Sequence, residues 1–452
     1  MKILIVGVGK VGATLARQLS REKHDLTLID IDSLVLEAGV ETYDVRSLRG
    51  NGASASILRE AEVDTADLLI ATTGEDELNL LCCLTAHSLN PRLHTIARIR
   101  NPEYREQAYA MRSVFGLSMA INPEMQAAIE IERVLQYPGF LKRETFARGR
   151  LELVEILVDE NSPLCDVQLM SLGNVVKCRV LVCSVLRGGK AIIPGGTFVV
   201  KEGDRLFVTA TTKNLSTLLR NLGLINHPAK RVMLAGGGHV SYYLAQRLAK
   251  NGVAVQLFER NLARCEELAE ALPNVSILHG DVSNQSLLDS EGVADCDAFV
   301  SLTGLDELNV VLSLFAHSRG VPQVITKFGR LDATELLNSL PLGSILSPKE
   351  LCTNTIVRYV RAMQNQTGAA LAIHMIADGQ VEAAEFVVDD TTRQIGVPLR
   401  ELKLRRGVLV AGISHGINTE IPDGNTALQK GDIVVIVSEE DREVHQLNDI
   451  FE

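Results

Sequence analysis

The 452-residue chain has no tryptophan, and aromatic residues make up only 4% of it. Single-stranded nucleic acid is gripped by stacking bases on aromatic faces, so that class of platform is excluded. Positive charge is also in deficit. Lys and Arg number 45 against 56 Asp and Glu, a net charge of −11, which argues against nucleic acid as a partner. No apolar run approaches the ~18 residues that a membrane-spanning helix needs. The opening Met1-Lys2-Ile3-Leu4-Ile5-Val6-Gly7 runs straight into a strand pattern, without a signal-peptide cleavage site. Eight cysteines are scattered with no CxxC pair and no histidine at ligand spacing, so neither a zinc site nor a disulfide framework is expected. Reduced thiols in a cytosol fit that usage. What is left is ordinary globular composition, 46% hydrophobic and 22% charged, in a chain too long for one core.

The chain is written twice. Residues 67–88, DLLIATTGEDELNLLCCLTAHS, and 297–318, DAFVSLTGLDELNVVLSLFAHS, share 11 of 22 positions at an offset of 230. Nearly the same offset aligns KILIVGVGKVGATLARQL from Lys2 with RVMLAGGGHVSYYLAQRL from Arg231. A second pair follows: Ile192-Ile193-Pro194-Gly195-Gly196-Thr197 then Glu202-Gly203-Asp204 mirrors Glu420-Ile421-Pro422-Asp423-Gly424-Asn425-Thr426 then Lys430-Gly431-Asp432. The order is A-B-A-B. Such a period is far too long for a solenoid and points to duplication of a two-domain unit.

Four domains are expected, at 1–135, 140–225, 229–365 and 370–452. In the A units, short β-branched runs (Ile3–Val6, Leu26–Asp30, Asp67–Thr72, His94–Arg98) alternate with helical patterns. Strands buried on both faces and alternating with helices predict an α/β fold, two Rossmann-like doubly wound parallel sheets. The B units carry short strands (Leu153–Val158, Val180–Val185, Ile192–Ile193, Arg205–Thr209) with Gly, Pro and Asp turns between them, a small α+β, β-rich domain after each core. The joins are predicted helices, such as Pro123–Leu135 with its stripe of Ala127, Ile131, Val134 and Leu135.

Gly7-Val8-Gly9-Lys10-Val11-Gly12 follows a strand and opens a helix. There the three glycines serve a tight turn, close approach to a pyrophosphate, and helix–strand packing. Free N–H groups at the helix start face the phosphates. Asp30 ends the second strand, about 20 residues on, where a carboxylate accepts both hydroxyls of a ribose. It would repel a 2′-phosphate, so NAD is preferred over NADP. The competing reading is that the glycines serve only the turn and Asp30 caps a helix. In the second copy the candidate nucleotide-binding residues are Gly236, Gly237, Gly238, His239 and Val240 in the loop, with Glu259 in the place of Asp30; Ser241 replaces Gly12, and the competing reading is a degenerate copy kept for packing.

Thr72, Thr73 and Gly74 end the fourth strand at the crevice edge where open α/β sheets bind ligands, with Thr303 the twin of Thr73. Asp76 is a candidate cap for the helix that follows. Arg98 ends the fifth strand at the same edge and can pair with a phosphate or serve as surface charge; Lys327 is its counterpart. A dehydrogenase would also need a proton-transfer group, and the B units offer no such constellation. His374, His415 and His445 are not duplicated, while His87 and His317 are, and read as packing residues inside helices. An NAD-dependent oxidoreductase with duplicated Rossmann domains is therefore the weaker reading, and a non-enzymatic regulator the stronger.

Two tandem dinucleotide-binding cores, each followed by a small β-rich module, resemble the regulatory TrkA family of the bacterial Trk potassium-uptake system, whose cores are of the KTN/RCK class. The resemblance covers essentially the whole chain. It implies a cytosolic protein, peripheral to the inner membrane, docked on a potassium-translocating membrane subunit of TrkH or TrkG type. It also implies NAD(H), or in some members ATP or ADP, in the first core. Carried over, Gly7–Val11 lie on the phosphates, Asp30 on the ribose, Thr72–Thr73 along the crevice and Arg98 near phosphate. Related channel domains often read Gly-Asp after the third strand; Gly280-Asp281 follows this, and Gly50-Asn51 departs from it. A homo-oligomer, a tetramer formed as a dimer of dimers, is expected, because tandem duplication lets one chain fill two positions of a ring.

Overall fold

A computed structural model describes residues 1–136, 142–223, 229–329, 340–363, 370–416, 418–439, 444 and 446–452. His445 lies outside the described residues. The first core runs β1 (Lys2–Val6), α1 (Lys10–Arg21), β2 (Asp25–Asp30), α2 (Ser33–Thr42), β3 (Arg46–Arg49), α3 (Ala55–Glu60), β4 (Leu68–Ala71), α4 (Asp76–Leu89), β5 (His94–Arg98), α5 (Pro102–Ala110), β6 (Met119–Ile121) and α6 (Pro123–Gln136). Its six strands lie in the order β3-β2-β1-β4-β5-β6. Ile3, Leu4 and Ile5 are wholly buried, as a parallel strand covered on both faces requires. α1 buries Val11, Leu15, Ala16 and Leu19 at helical spacing. The strand order reverses between β1 and β4, and the crevice opens there.

An antiparallel module follows: β7 (Lys142–Phe146), β8 (Leu151–Leu157), α7 (Leu172–Val176), β9 (Val180–Arg187), β10 (Lys190–Ile192), β11 (Arg205–Thr211) and α8 (Thr212–Asn221), in sheet order β10-β9-β11-β8-β7. The second core repeats the first with β12 (Arg231–Ala235), α9 (His239–Lys250), β13 (Ala254–Glu259), α10 (Leu262–Ala271), β14 (Ser276–His279), α11 (Gln285–Ser290), β15 (Ala298–Ser301), α12 (Asp306–Ser318), β16 (Gln323–Lys327), β17 (Ser344–Leu346) and α13 (Pro348–Met363). Its strand order, β14-β13-β12-β15-β16-β17, is that of the first core. The second module consists of β18 (Ala372–Ile376), β19 (Val381–Val387), β20 (Val408–His415), β21 (Asn418–Glu420) and β22 (Ile433–Glu439).

Contact density divides the chain into two compact units. The first is Met1–Glu130 with Gly237–Arg247 and Leu346–Tyr359; the second is Ile131–Gly236 with Leu248–Ile345 and Val360–Glu452. The last residues of α6 thus lie in the second unit, and most of α13 lies in the first. In the first unit Tyr359 of α13 meets His94 Nδ1 at 2.8 Å, and Gln126 Nε2 donates to Thr355 Oγ1 at 3.3 Å. In the second unit the Val134 carbonyl of α6 accepts from Gln323 Nε2 at 2.7 Å, and Glu132 accepts from Asn251 at 2.6 Å.

Within the second unit the two modules share one apolar cluster, with Phe146, Leu153 and Phe207 from the first and Val381, Val435 and Val437 from the second. The sheets are also stitched by polar bonds, Thr209 Oγ1 to the Ala411 carbonyl at 2.9 Å and Ala147 N–H to Glu385 Oε2 at 2.8 Å. The repeat is not exact in its charges. Buried Asp204 holds Arg187 through two bonds of 2.7 and 2.6 Å, whereas Asp432 holds His415 Nδ1 at 2.8 Å. His374 is a strand residue of β18 and pairs with Glu144 at 2.7 Å.

Candidate functional site

The loop between β1 and α1 assigns each glycine a separate steric task. Gly7 has φ +86°, and a Cβ there would stand 2.6 Å from the Thr73 nitrogen. A Cβ on Gly12 would come within 2.1 Å of the Gly7 carbonyl oxygen, so α1 can approach the strand only through glycine. Around Gly9 nothing lies within 4 Å, and Gly9 and Lys10 are exposed. No side chain caps α1, so its first N–H groups are free to receive an anion. Val8 and Val11 are buried beneath the loop.

Asp30 grips this loop. Its Oδ2 accepts from the Val8 N–H at 2.6 Å and its Oδ1 from the Asp32 N–H at 3.0 Å. Helix α2 is capped by Asp32, whose Oδ1 accepts from Leu34 N–H at 2.9 Å, not by Asp30. Each carboxylate oxygen keeps a further lone pair for a ribose hydroxyl. Asn51 turns the chain after β3, accepting from Ala53 N–H at 2.9 Å, and is exposed.

The opposite wall is the end of β4. Thr72 Oγ1 donates to the Gly7 carbonyl at 2.9 Å, tying that wall to the glycine loop. Thr73 donates through both its N–H (2.8 Å) and its hydroxyl (2.7 Å) to Asn79 Oδ1, and Asn79 Nδ2 donates to the Arg98 carbonyl at 2.9 Å. The buried Asn79 therefore clamps the ends of β4 and β5 together. Asp76 does not cap its own helix. It accepts the N–H groups of Arg100 (2.8 Å) and Asn101 (2.7 Å), fixing the segment beyond β5. Arg98 is not loose surface charge. Its Nη2 donates to Glu124 Oε1 at 2.9 Å, with about 17% of the side chain exposed. The guanidinium of Arg100 reaches the Gly74 carbonyl at the crevice edge.

In the second copy Gly236 has φ +106° and its N–H donates to the Phe258 carbonyl, as Gly7 does to Ile29. Gly237, Gly238, His239 and Val240 lead into α9 and belong to the first contact unit, while Gly236, Glu259, Asp281, Thr303 and Lys327 belong to the second. Glu259 ends β13 and accepts from Asn261 N–H at 2.8 Å. Asp281 accepts from Ser283 N–H at 2.9 Å, and bonds from the Ser283 backbone and hydroxyl hold its carboxyl below the usual range. Thr303 repeats the clamp on Asn309, at 2.9 and 2.7 Å, with Asn309 Nδ2 on the Lys327 carbonyl at 3.0 Å. Ser241 is fully buried. His87 packs as expected, its ring filling the space where a Gly116 Cβ would lie, but His317 is exposed in the last turn of α12.

Sequence reasoning passed over Asn79, Asn309 and Arg100. The two asparagines were signalled by the repeated Asp-Glu-Leu-Asn at 76–79 and 306–309; in the structure the place of Arg100 is taken by Gly329, whose N–H donates to Asp306 Oδ2 at 3.0 Å as that of Arg100 does to Asp76 Oδ2.

The TrkA-N domain family matches residues 3–123 and again 232–348, and the TrkA-C domain family matches 153–223 and 383–451. The chain belongs to the TrkA family. A curated member, the Trk system potassium uptake protein TrkA of Haemophilus influenzae, is 32% identical over 464 residues, covering 100% of this chain and 99% of that one. Among solved structures, the GsuK RCK domain superposes with a TM-score of 0.62 at 17% identity, over 97% of this chain and 92% of that chain. The GsuK channel bound to NAD gives a TM-score of 0.62 at 18% identity, over 97% and 77%. At those identities the TrkA-family chain shares their fold.

Proposed function

We propose that this TrkA-family chain is the cytosolic regulatory subunit of a Trk potassium-uptake system, and that it binds NAD(H) or an adenine nucleotide in its first core without transforming it. The observation that carries the reading is the first glycine loop: Gly9 open to solvent over uncapped N–H groups, with Asp30 fixed beside it by a 2.6 Å bond. Pyrophosphate takes the loop of Gly7–Gly12, the ribose diol takes Asp30, and the phosphate end lies toward Thr72, Thr73 and Arg98. Exposed Ile31, next to Asp30, offers an apolar face for adenine. The second core, with Ser241 in place of Gly12, is the weaker site.

The nucleotide acts by binding two arrangements of the cores unequally, since a ligand shifts an equilibrium only by its difference in affinity. The partner is a potassium-translocating membrane subunit of TrkH or TrkG type, met at the cytoplasmic face of the inner membrane by a homotetramer. A titration with NAD, NADH, ATP and ADP tests the site, with potassium flux in vesicles holding the membrane subunit as the functional readout. No binding of any of the four, or flux indifferent to all of them, would end this reading.

A further inference from the structure

Arg100 stands where four elements meet. Its guanidinium donates to the Gly74 carbonyl of the crevice loop, and its N–H to Asp76 at the start of α4. Its carbonyl accepts from Asn122 Nδ2 at 3.2 Å and from the Tyr243 hydroxyl at 2.8 Å. Asn122 Nδ2 also donates to the Tyr243 oxygen at 3.0 Å, while Asn122 Oδ1 accepts from Met125 N–H at 2.7 Å in the first turn of α6. Tyr243 is 2% exposed, so its hydroxyl has been taken out of water for this knot.

Tyr243 sits on α9, which in sequence is the leading helix of the second core, yet Gly237–Arg247 fold into the first contact unit. The two copies differ here. Thr14 holds the matching position in α1, and its hydroxyl turns back on its own helix, to the Lys10 carbonyl at 2.8 Å. A phenol is long enough to leave its helix and reach another segment's backbone; a threonine hydroxyl is not.

We propose that Tyr243 is a positioning residue for the nucleotide crevice of the first core. The second copy's leading helix holds the Arg100 carbonyl, and Arg100 holds Gly74, so the first site is complete only with α9 in place. This rests on the nucleotide reading above. Linkage makes the relation reciprocal: ligand in the first crevice tightens α9 by the same factor that α9 tightens the ligand. Because α9 springs from the second glycine loop, occupancy of one core is thereby felt by the other.

The test uses the full chain with its second loop blocked by Gly238→Val, where an added Cβ meets nothing within 4 Å. NAD and ADP are titrated into this parent and into versions carrying Tyr243→Phe, Arg100→Ala or both. Tyr243→Phe keeps the ring and removes only the hydroxyl. It is expected to weaken first-site binding about 3- to 10-fold. The double variant is expected to bind no more weakly than Arg100→Ala alone, because the phenol acts through Arg100. Nucleotide is expected to slow hydrogen exchange along α9 in the parent and not in Tyr243→Phe. A hydroxyl that served packing alone would lower melting temperature and leave affinity and α9 protection unchanged; that result, or additive losses, overturns the proposal. An unsubstituted chain that binds none of NAD, NADH, ATP and ADP removes the nucleotide reading itself, and the proposal with it.

Discussion

The carboxylate of Asp30 and the backbone N–H of Val8 lie 2.6 Å apart, so the acidic end of β2 and the glycine loop after β1 are already joined before any ligand arrives. A loop held in place loses little conformational freedom when a phosphate binds. The same bond means that Asp30 has a structural task alongside the one expected of it, and that its removal would affect the loop as well as the ribose.

Gly9 offers a cleaner separation of binding from folding. Its φ of −66° is open to any residue, and its missing Cβ faces empty space. Gly9→Val is expected to fold with a melting temperature within a few degrees of the parent, and to lose nucleotide binding at least tenfold through steric exclusion of the pyrophosphate. Gly12→Ala, whose Cβ would meet the Gly7 carbonyl at 2.1 Å, is expected to lose stability as well. Calorimetric titration and thermal melts of both variants check the contrast.

The division of labour among the glycines was legible in the sequence because strand, loop and helix are contiguous there and each glycine has a local cause. The doubly wound sheets were legible for the same reason: β1, β2, β4 and β5 each fall on an apolar run bounded by turns. The clamp of Asn79 on Thr73 and Arg98 was not, since it joins positions brought together only when β4 and β5 pair. Arg98 itself was assigned to the correct strand end and α6 was placed from its first residue, but the pairing of Arg98 with Glu124 depends on how α6 packs beside the end of β5, which spacing along the chain does not give. Tyr243 lay still further out of reach, because its partner is the carbonyl of a residue 143 positions away.

The Arg98–Glu124 pair predicts a competition. A nucleotide phosphate at the crevice can recruit Arg98 only by drawing it from Glu124, at 2.9 Å. Glu124→Gln weakens that hold and is expected to tighten nucleotide binding about fivefold, roughly 1 kcal/mol. Arg98→Ala instead strands a carboxylate that is only 16% exposed, at a stability cost of about 3 kcal/mol. Titration of both variants and urea unfolding of Arg98→Ala are the measurements. Affinity unchanged in Glu124→Gln would take Arg98 out of the phosphate contact.

Five thiols predict the alkaline limit of the fold. Burial pushes Cys82, Cys83, Cys183, Cys296 and Cys352 up to about 12, from 9.0 in the unfolded chain. Below pH 9 these thiols are protonated in both states and stability is unaffected. Between pH 9 and about 12 only the unfolded chain ionises, so it binds fewer protons and stability falls as pH rises. The loss is on the order of 1 kcal/mol per thiol at pH 10. Urea midpoints measured from pH 8 to 10.5 should decline, and Cys83→Ala should show a shallower decline by one proton's worth of slope.

The duplicated clamp supplies an internal control for which core binds ligand. Asn79 and Asn309 are both fully buried, and each bonds the threonine two residues past its strand and the carbonyl that ends the next strand. Replacing either by alanine leaves a buried N–H and a carbonyl without their partner, a loss of about 1–3 kcal/mol in each case. Stability therefore does not distinguish the two variants. Affinity does, because only the first core combines an intact third glycine with a fixed aspartate. Asn79→Ala frees Thr73 and the end of β5 to drift from the crevice, and nucleotide binding is expected to weaken about tenfold, or ~1.4 kcal/mol. Asn309→Ala is expected to lose the same stability with affinity at the tight site within twofold of the parent. Urea unfolding and nucleotide titration on the two full-length variants provide both numbers. Equal losses of affinity would mean that both cores hold nucleotide alike, and Ser241 would then no longer mark the second site as the weaker one.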